Sequence, residues 1–210
     1  MSVTSRAASR WISSEAAREV VHTRRAEVDG IITGVGTVLN DDPGLNVRLE
    51  QPGLRSPHRI ILDPDGRFPA ESKIARSAKE QPTTVVVADH HAADRFRALE
   101  ALGVEILRLP CGGEGFCWET VLRWCGERPM NEVLIEAGPY LVGSAFDARV
   151  IDSVMVFVAP KLFGGADAPG VIGGLGVKVP LQAARLVDWQ TEPVGPDLLI
   201  RADVEYPASA

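Results

Sequence analysis

The amino-acid sequence predicts an α/β domain, with helices on both faces of a mainly parallel sheet, on three observations. Short β-branched and apolar runs recur along the chain. Segments with helical spacing of apolar residues lie between several of them. Finally, 210 residues that are 45% apolar and 24% charged suffice for one sizeable core, and no internal repeat or long linker divides them. Residues 1–210 therefore read as a single domain.

Taken in order, Ser13 or Ser14 caps a helix running to about Glu27, with Glu15 in the first turn, where the helix dipole favours an acid. Arg18, His22 and Arg25 lie on that helix, and His22 reads as a partly exposed helix-face histidine. Gly30–Gly34 is a short buried strand bounded by glycines, and His58–Asp63 is another. Thr83–Ala88, Ala92–Leu102 and Val104–Leu109 form a strand, a helix and a strand, a βαβ unit. Trp118–Cys125 suits a short helix, Glu132–Ile135 a strand, and Pro139–Ala148 a helix opened by a glycine-proline pair. Ser153–Ala159 and Asp197–Val204 complete the strands, the last one antiparallel at or near an edge. Residues 164–176, rich in glycine, read as an irregular loop, either a simple connection between two strands, a mobile lid or a phosphate loop.

Composition removes several classes of function. The formal net charge is −6 and no segment carries a basic cluster, which argues against nucleic acid as a partner. No apolar run approaches the roughly 18 residues needed to cross a bilayer, and the amino terminus lacks a signal-peptide pattern, so the cytoplasm is the expected location. Cys111, Cys117 and Cys125 match no zinc spacing, and His90-His91 beside Asp89 and Asp94 reads as a solvated cap; no metal site is expected.

Two constellations carry chemistry. In the first, Glu136-Ala137-Gly138-Pro139 stands where a strand ends and a helix begins. There a carboxylate can meet ligand hydroxyls, Gly138 leaves room for a phosphate group, and Tyr140–Ser144 offer amides and the Ser144 hydroxyl. A purely structural strand-to-helix turn explains the same residues, and the three-glycine dinucleotide fingerprint is missing. In the second, Thr37 to Arg48 reads as a turn whose Asx side chains bond local amides. Arg25 and Arg48 could jointly clamp a phosphate, or Arg48 could simply be solvated.

The order and spacing of these pieces resemble the reductase half of the bifunctional riboflavin-biosynthesis deaminase/reductase family. The landmarks are Ser9-Arg10-Trp11-Ile12, Arg25-Ala26-Glu27, Gly36 to Pro43, Leu45 to Arg48, Arg59 to Asp63, Ile135 to Pro139 and Ala159 to Gly164, spread over about residues 9 to 204. The resemblance implies a dihydrofolate-reductase-like fold and NADPH-dependent reduction of the ribosyl group of 5-amino-6-(5-phosphoribosylamino)uracil, by hydride attack on C1′ of its ring-opened form. It implies a homodimer. It puts Ser9, Arg25, Leu45, Arg48 and Glu136 at substrate-binding positions. It puts Trp11, Thr37, Asp41 and Gly138, Pro139, Tyr140, Leu141, Val142, Gly143 and Ser144 at NADPH-binding positions. No matched residue is an evident proton donor, so no catalytic residue is assigned. Lys161 could face the 2′-phosphate of the cofactor.

Three departures qualify the resemblance. Pro64 replaces a cofactor-contacting serine. The deaminase half with its zinc motif has no counterpart, so no deamination is expected. The family's first strand, with its Ser-Leu-Asp-Gly turn, is missing from Met1–Ala8, which should leave neighbouring strands unpaired unless the sheet closes or a partner fills the gap. A reductase-like protein that binds a nucleotide without turnover, or a reductase of another phosphoribosyl or pterin-like substrate, are the alternatives.

Overall fold

The computed structural model describes residues 12–49, 53–112, 115–165, 168 and 170–208. In chain order the elements are α1 (Glu15–Glu27), β1 (Gly30–Gly34), α2 (Val35–Asp41), β2 (His58–Leu62), α3 (Lys73–Arg76), β3 (Thr83–Ala88), α4 (Arg97–Ala101) and β4 (Glu105–Leu109). A two-residue hairpin pair follows, β5 (Cys111–Gly112) and β6 (Gly115–Phe116). The chain continues with α5 (Trp118–Gly126), β7 (Val133–Ile135), α6 (Pro139–Asp147), β8 (Ser153–Val158), β9 (Arg185–Val194) and β10 (Asp197–Glu205).

Five strands form a parallel sheet in the order β4-β3-β2-β1-β7. Such strands must be apolar on both faces, because helices cover both. Ile31, Ile32, Ile60, Ile61, Val85, Val86 and Val87 are accordingly sealed from solvent. On one face Ile31, Ile61 and Val85 pack with Val35 and Val38 of α2, Ile74 of α3 and Leu99 of α4. On the other, Ile32, Ile60 and Val86 pack with Trp118, Val121 and Trp124 of α5 and Ala145 of α6. The three later strands make a separate antiparallel sheet, β8-β10-β9.

The structure corrects the sequence reading at four places. The turn expected from Thr37 begins as a helix, α2, because Val35 and Val38 bury one side of its about two turns and Asp42, at φ 42°, ends it by donating its amide to the Val38 carbonyl. Asp42 does not bond a local amide with its side chain; Oδ1 accepts from the Lys73 amide at the start of α3, 2.9 Å away. The unforeseen β9 is mostly exposed, so it shows no buried period; it exists because it pairs with β10 across the tight turn at Gly195, whose φ is 59°. The last strand, β10, is antiparallel as expected but sits at the centre of its sheet.

Among the described residues β7 pairs only with β1, and β8 only with β10, so no strand pairing joins the two sheets. The expected loss of the first strand concerns residues 1–8, which lie outside the described residues.

Candidate active site

The carboxyl ends of β1 and β7, the loop after α2 and the last turn of α1 converge on one region. Helix α1 is started by Ser14, whose hydroxyl accepts from the Ala17 amide at 3.2 Å, and the Ser14 amide is held by the Asp197 carboxylate at 2.7 Å. That anchor sets the helix so that Arg25, 8% exposed, reaches Glu136 just beyond β7. Arg25 Nε donates to Glu136 Oε2 at 2.9 Å, Nη2 donates to Oε1, and Nη1 donates to the Asn46 carbonyl at 3.1 Å. Such a bidentate pair in a half-buried setting fixes both groups. The Glu136 amide continues the ladder by donating to Ile32 O at 3.0 Å, so the carboxylate is held from the backbone as well.

The loop Asp42–Arg48 carries Leu45 at φ 48°, its side chain fully buried in the core beside Val38. Three successive carbonyls of this loop are captured by three side chains: Gly44 O by Arg59 at 3.0 Å, Leu45 O by Gln81 at 3.1 Å, and Asn46 O by Arg25. Arg59 is itself sealed in the core. Its five N–H groups are met by Thr83 Oγ1, Gly44 O, Ser77 Oγ, Ile74 O and Gln81 O, none of them a carboxylate. Burial lowers its pKa to about 10. Arg48, by contrast, is exposed, holds Asn46 Oδ1 at 3.3 Å, and lines a depression of about 690 Å³ with Asn46, Ser56 and Lys73.

The predicted residues divide accordingly. Arg25, Leu45, Arg48 and Glu136 are brought to one region, but the donors of Arg25 are directed to Glu136 and Asn46 rather than set beside Arg48 as a phosphate clamp. Ser9 and Trp11 lie outside the described residues. Thr37 is half-buried on α2 and Asp41 is exposed at its end. At α6, Gly138 is the N-cap, and a Cβ placed on it would meet nothing within 4 Å. Pro139 follows, so the first amides free to meet an anion belong to Tyr140 and Leu141. Tyr140 is 76% exposed, whereas Leu141 packs toward Gly34 and into the core.

Val142 closes the first helical turn by donating its amide to Gly138 O at 3.2 Å. Gly143 does not face open space: a Cβ there would come within 2.2 Å of the Gly173 backbone. The Ser144 hydroxyl is spent, donating to Leu141 O at 2.8 Å and accepting from the Trp118 indole at 3.0 Å. Lys161 reaches the Ile12 carbonyl at 2.7 Å.

Arg59 and Gln81 were not singled out from the sequence as supports of this site. The available signal was a charged residue directly ahead of the apolar run Ile60–Leu62, and an amide just before Pro82. His91, read as a solvated cap, donates its Nε2–H to the Pro64 carbonyl at 2.8 Å, because a carbonyl oxygen only accepts. Among the described residues no group of three or more His, Cys, Asp or Glu side chains is arranged to hold a metal.

Comparison with known proteins places this geometry. The family described as the RibD C-terminal domain matches residues 2–200. The riboflavin biosynthesis protein RibD of Actinobacillus pleuropneumoniae is 34% identical over 194 residues, 91% of this chain and 50% of that protein. RibD of Acinetobacter baumannii superposes with a TM-score of 0.79 at 28% identity, over 94% of this chain and 52% of that one. A diaminohydroxyphosphoribosylaminopyrimidine deaminase/5-amino-6-(5-phosphoribosylamino)uracil reductase from Thermotoga maritima superposes with a TM-score of 0.74 at 27% identity, over 96% and 52%. The chain thus spans about half the length of these relatives. The dihydrofolate-reductase-like fold that the sequence resemblance implied is shown by these superpositions.

Proposed function

This chain belongs to the RibD C-terminal domain family, and on that premise we propose that it is an NADPH-dependent reductase of riboflavin biosynthesis, acting as one reductase domain over residues 1–210. Its substrate on this reading is 5-amino-6-(5-phosphoribosylamino)uracil, whose ribosyl group becomes a ribityl chain. The observation that carries the reading is the Arg25–Glu136 pair joined to the Asn46 carbonyl, which ties α1, the Asp42–Arg48 loop and the end of β7 into one polar wall. A phosphorylated sugar suits such a wall, with Glu136 accepting from sugar or pyrimidine donors and exposed Arg48 turned to the phosphate.

The residues near α6 fit NADPH in part. The open face at Gly138 and the exposed first turn support a phosphate of the cofactor at the helix start, while Gly143 and the Ser144 hydroxyl are occupied within the protein. When bound, NADPH supplies the hydride. Glu136 and Arg48 would hold the sugar phosphate for that step, the remote phosphate contact fixing its position.

A homodimer is supported by large apolar side chains exposed on the antiparallel sheet, Leu186, Trp189 and Leu198. A cytoplasmic location accords with the expected pathway, and no helix among the described residues is long and apolar enough to cross a membrane. The second reading is nucleotide binding without turnover. The deciding experiment follows NADPH absorbance with the purified chain and the pyrimidine substrate. Oxidation dependent on that substrate is expected; tight NADPH binding with no oxidation favours the second reading.

A further inference from the structure

The loop after α2 and the turn following α3 enclose the open depression of about 690 Å³. Its rim carries three exposed cationic side chains, Arg48, Arg55 and Lys73, against one exposed carboxylate, Glu80, in a chain whose net charge is −6. Among the described residues neither Arg48 nor Arg55 is paired with a carboxylate. Lys73 is anchored at the rim, its Nζ donating to the Asp42 carbonyl at 3.1 Å.

The floor is half-buried and polar. A Cβ on Gly44 would come within 2.8 Å of Asn46 Oδ1 and 3.7 Å of Arg48 Nη2, so the glycine makes room for the carboxamide beside the guanidinium. Arg48 Nε donates to Asn46 Oδ1 at 3.3 Å, which leaves Asn46 Nδ2 and both terminal nitrogens of Arg48 to donate elsewhere. Ser56 Oγ accepts from the Val47 amide at 3.0 Å and keeps its hydroxyl proton for another acceptor. Charged donors at the rim and neutral donors below suit one group with three terminal oxygens. No described lining residue is aromatic, so a pyrimidine has no ring to stack on there.

We propose that this depression is the phosphomonoester subsite of the chain, with Arg55 and Lys73 as ligands of the substrate phosphate beside Arg48, and Glu80 as the opposing charge that limits affinity. The proposal rests on the reductase reading above and deepens it. Asn46 links the two regions: its carbonyl accepts from Arg25 Nη1 at 3.1 Å, while the residue itself lines the depression. A substrate whose sugar meets Glu136 passes its phosphate across Asn46 into the depression, and Arg25 stays committed to Glu136 and Asn46. Each rim contact acts through solvent and is screened, so each is worth less than a buried one.

The test titrates ribose 5-phosphate into the whole chain at fixed ionic strength, following backbone amides by NMR and the dissociation constant by calorimetry. The amides of Asn46, Ser56 and Ser77 are expected to shift. Shifts confined to other residues, or no binding at all, overturn the proposal. Arg55→Gln and Lys73→Gln are each expected to weaken binding about threefold to tenfold, whereas Glu80→Gln is expected to strengthen it about twofold. A damaged fold does not produce opposite signs. Unchanged affinity in either cationic variant, or weaker binding in Glu80→Gln, overturns the assignment. In steady-state assays Arg55→Gln is expected to raise KM by a similar factor, with kcat changed less than about twofold and KM for the dephosphorylated substrate unmoved. Equal losses on both substrates overturn the phosphate role. A chain that binds ribose 5-phosphate in the depression yet never oxidises NADPH with the pyrimidine refutes the reductase reading and leaves the subsite standing. Oxidation with a KM indifferent to Arg55 does the reverse.

Discussion

Arg25 and Glu136 are useful to each other before they are useful to a ligand. The fork of Arg25 spans both carboxylate oxygens, and its remaining nitrogen holds the Asn46 carbonyl. Lysine carries the same charge but only one compact ammonium, which cannot hold all three acceptors. Arg25→Lys should therefore lower kcat/KM by about 10²-fold or more, roughly 3 kcal/mol, with the fold retained. A Lys variant within about twofold of wild type in the NADPH assay would show that charge alone suffices. At this scale the sequence was partly legible. Arg25 and Glu136 stand in local motifs whose chemistry is visible without a structure. Arg59 and Gln81 act only through carbonyls 36 or fewer residues away in the chain, brought beneath them by the packing of β2 and β3, and nothing local announces that.

Among the elements, helix α6 and the segment following β8 are locked together. Gly173 N donates to Pro139 O at 2.9 Å, Leu175 N donates to Asp147 Oδ2 at 2.7 Å, and Gly143 faces Gly173 with no space for a methyl group. Residues 170–176 are therefore a docked strap rather than a bare connection. Gly143→Ala must push the two apart, at a cost of about 1–3 kcal/mol. Amides of residues 170–176 should then exchange with deuterium faster, while those of β3 keep their protection. Unchanged exchange at 170–176 would mean that the strap tolerates the methyl group. The strands of the parallel sheet were readable because burial on both faces writes an unbroken apolar run, as in Thr83–Ala88. Helix α2 and strand β9 were not, since a glycine and Asx residues disguise the first and pairing with β10 alone, rather than burial, creates the second.

For the whole molecule, acid is the clearest weakness. His22 and His58 are both held below 6.5, His58 mainly by burial and His22 by burial with two neighbouring guanidinium groups. An imidazole depressed in the folded state binds protons more readily once unfolded. Stability is thus complete above about pH 6.5 and declines as pH drops through the window between that value and the folded midpoints. Asp63, raised by burial, acts in the opposite sense nearer the carboxylate range. Urea midpoints should be lower at pH 5 than at pH 7, and His58→Gln, able to keep a bond to Thr84, should shrink the difference. A midpoint that holds or rises from pH 7 to pH 5 contradicts this account. The overall α/β architecture and its reductase resemblance were legible in the order of motifs; the separation into two sheets was not, because it depends on which strands find partners.

The buried Arg59 has one more consequence. No carboxylate bonds its guanidinium, which is met by carbonyl and hydroxyl dipoles inside the core, where dissolved ions do not reach, and Glu80 acts on it only through space. The loop that displays Arg48 is consequently fixed by contacts indifferent to ionic strength, while the pull of Arg48 on a phosphate passes through solvent and is screened. Added salt should weaken capture of the ligand and leave its receptacle intact.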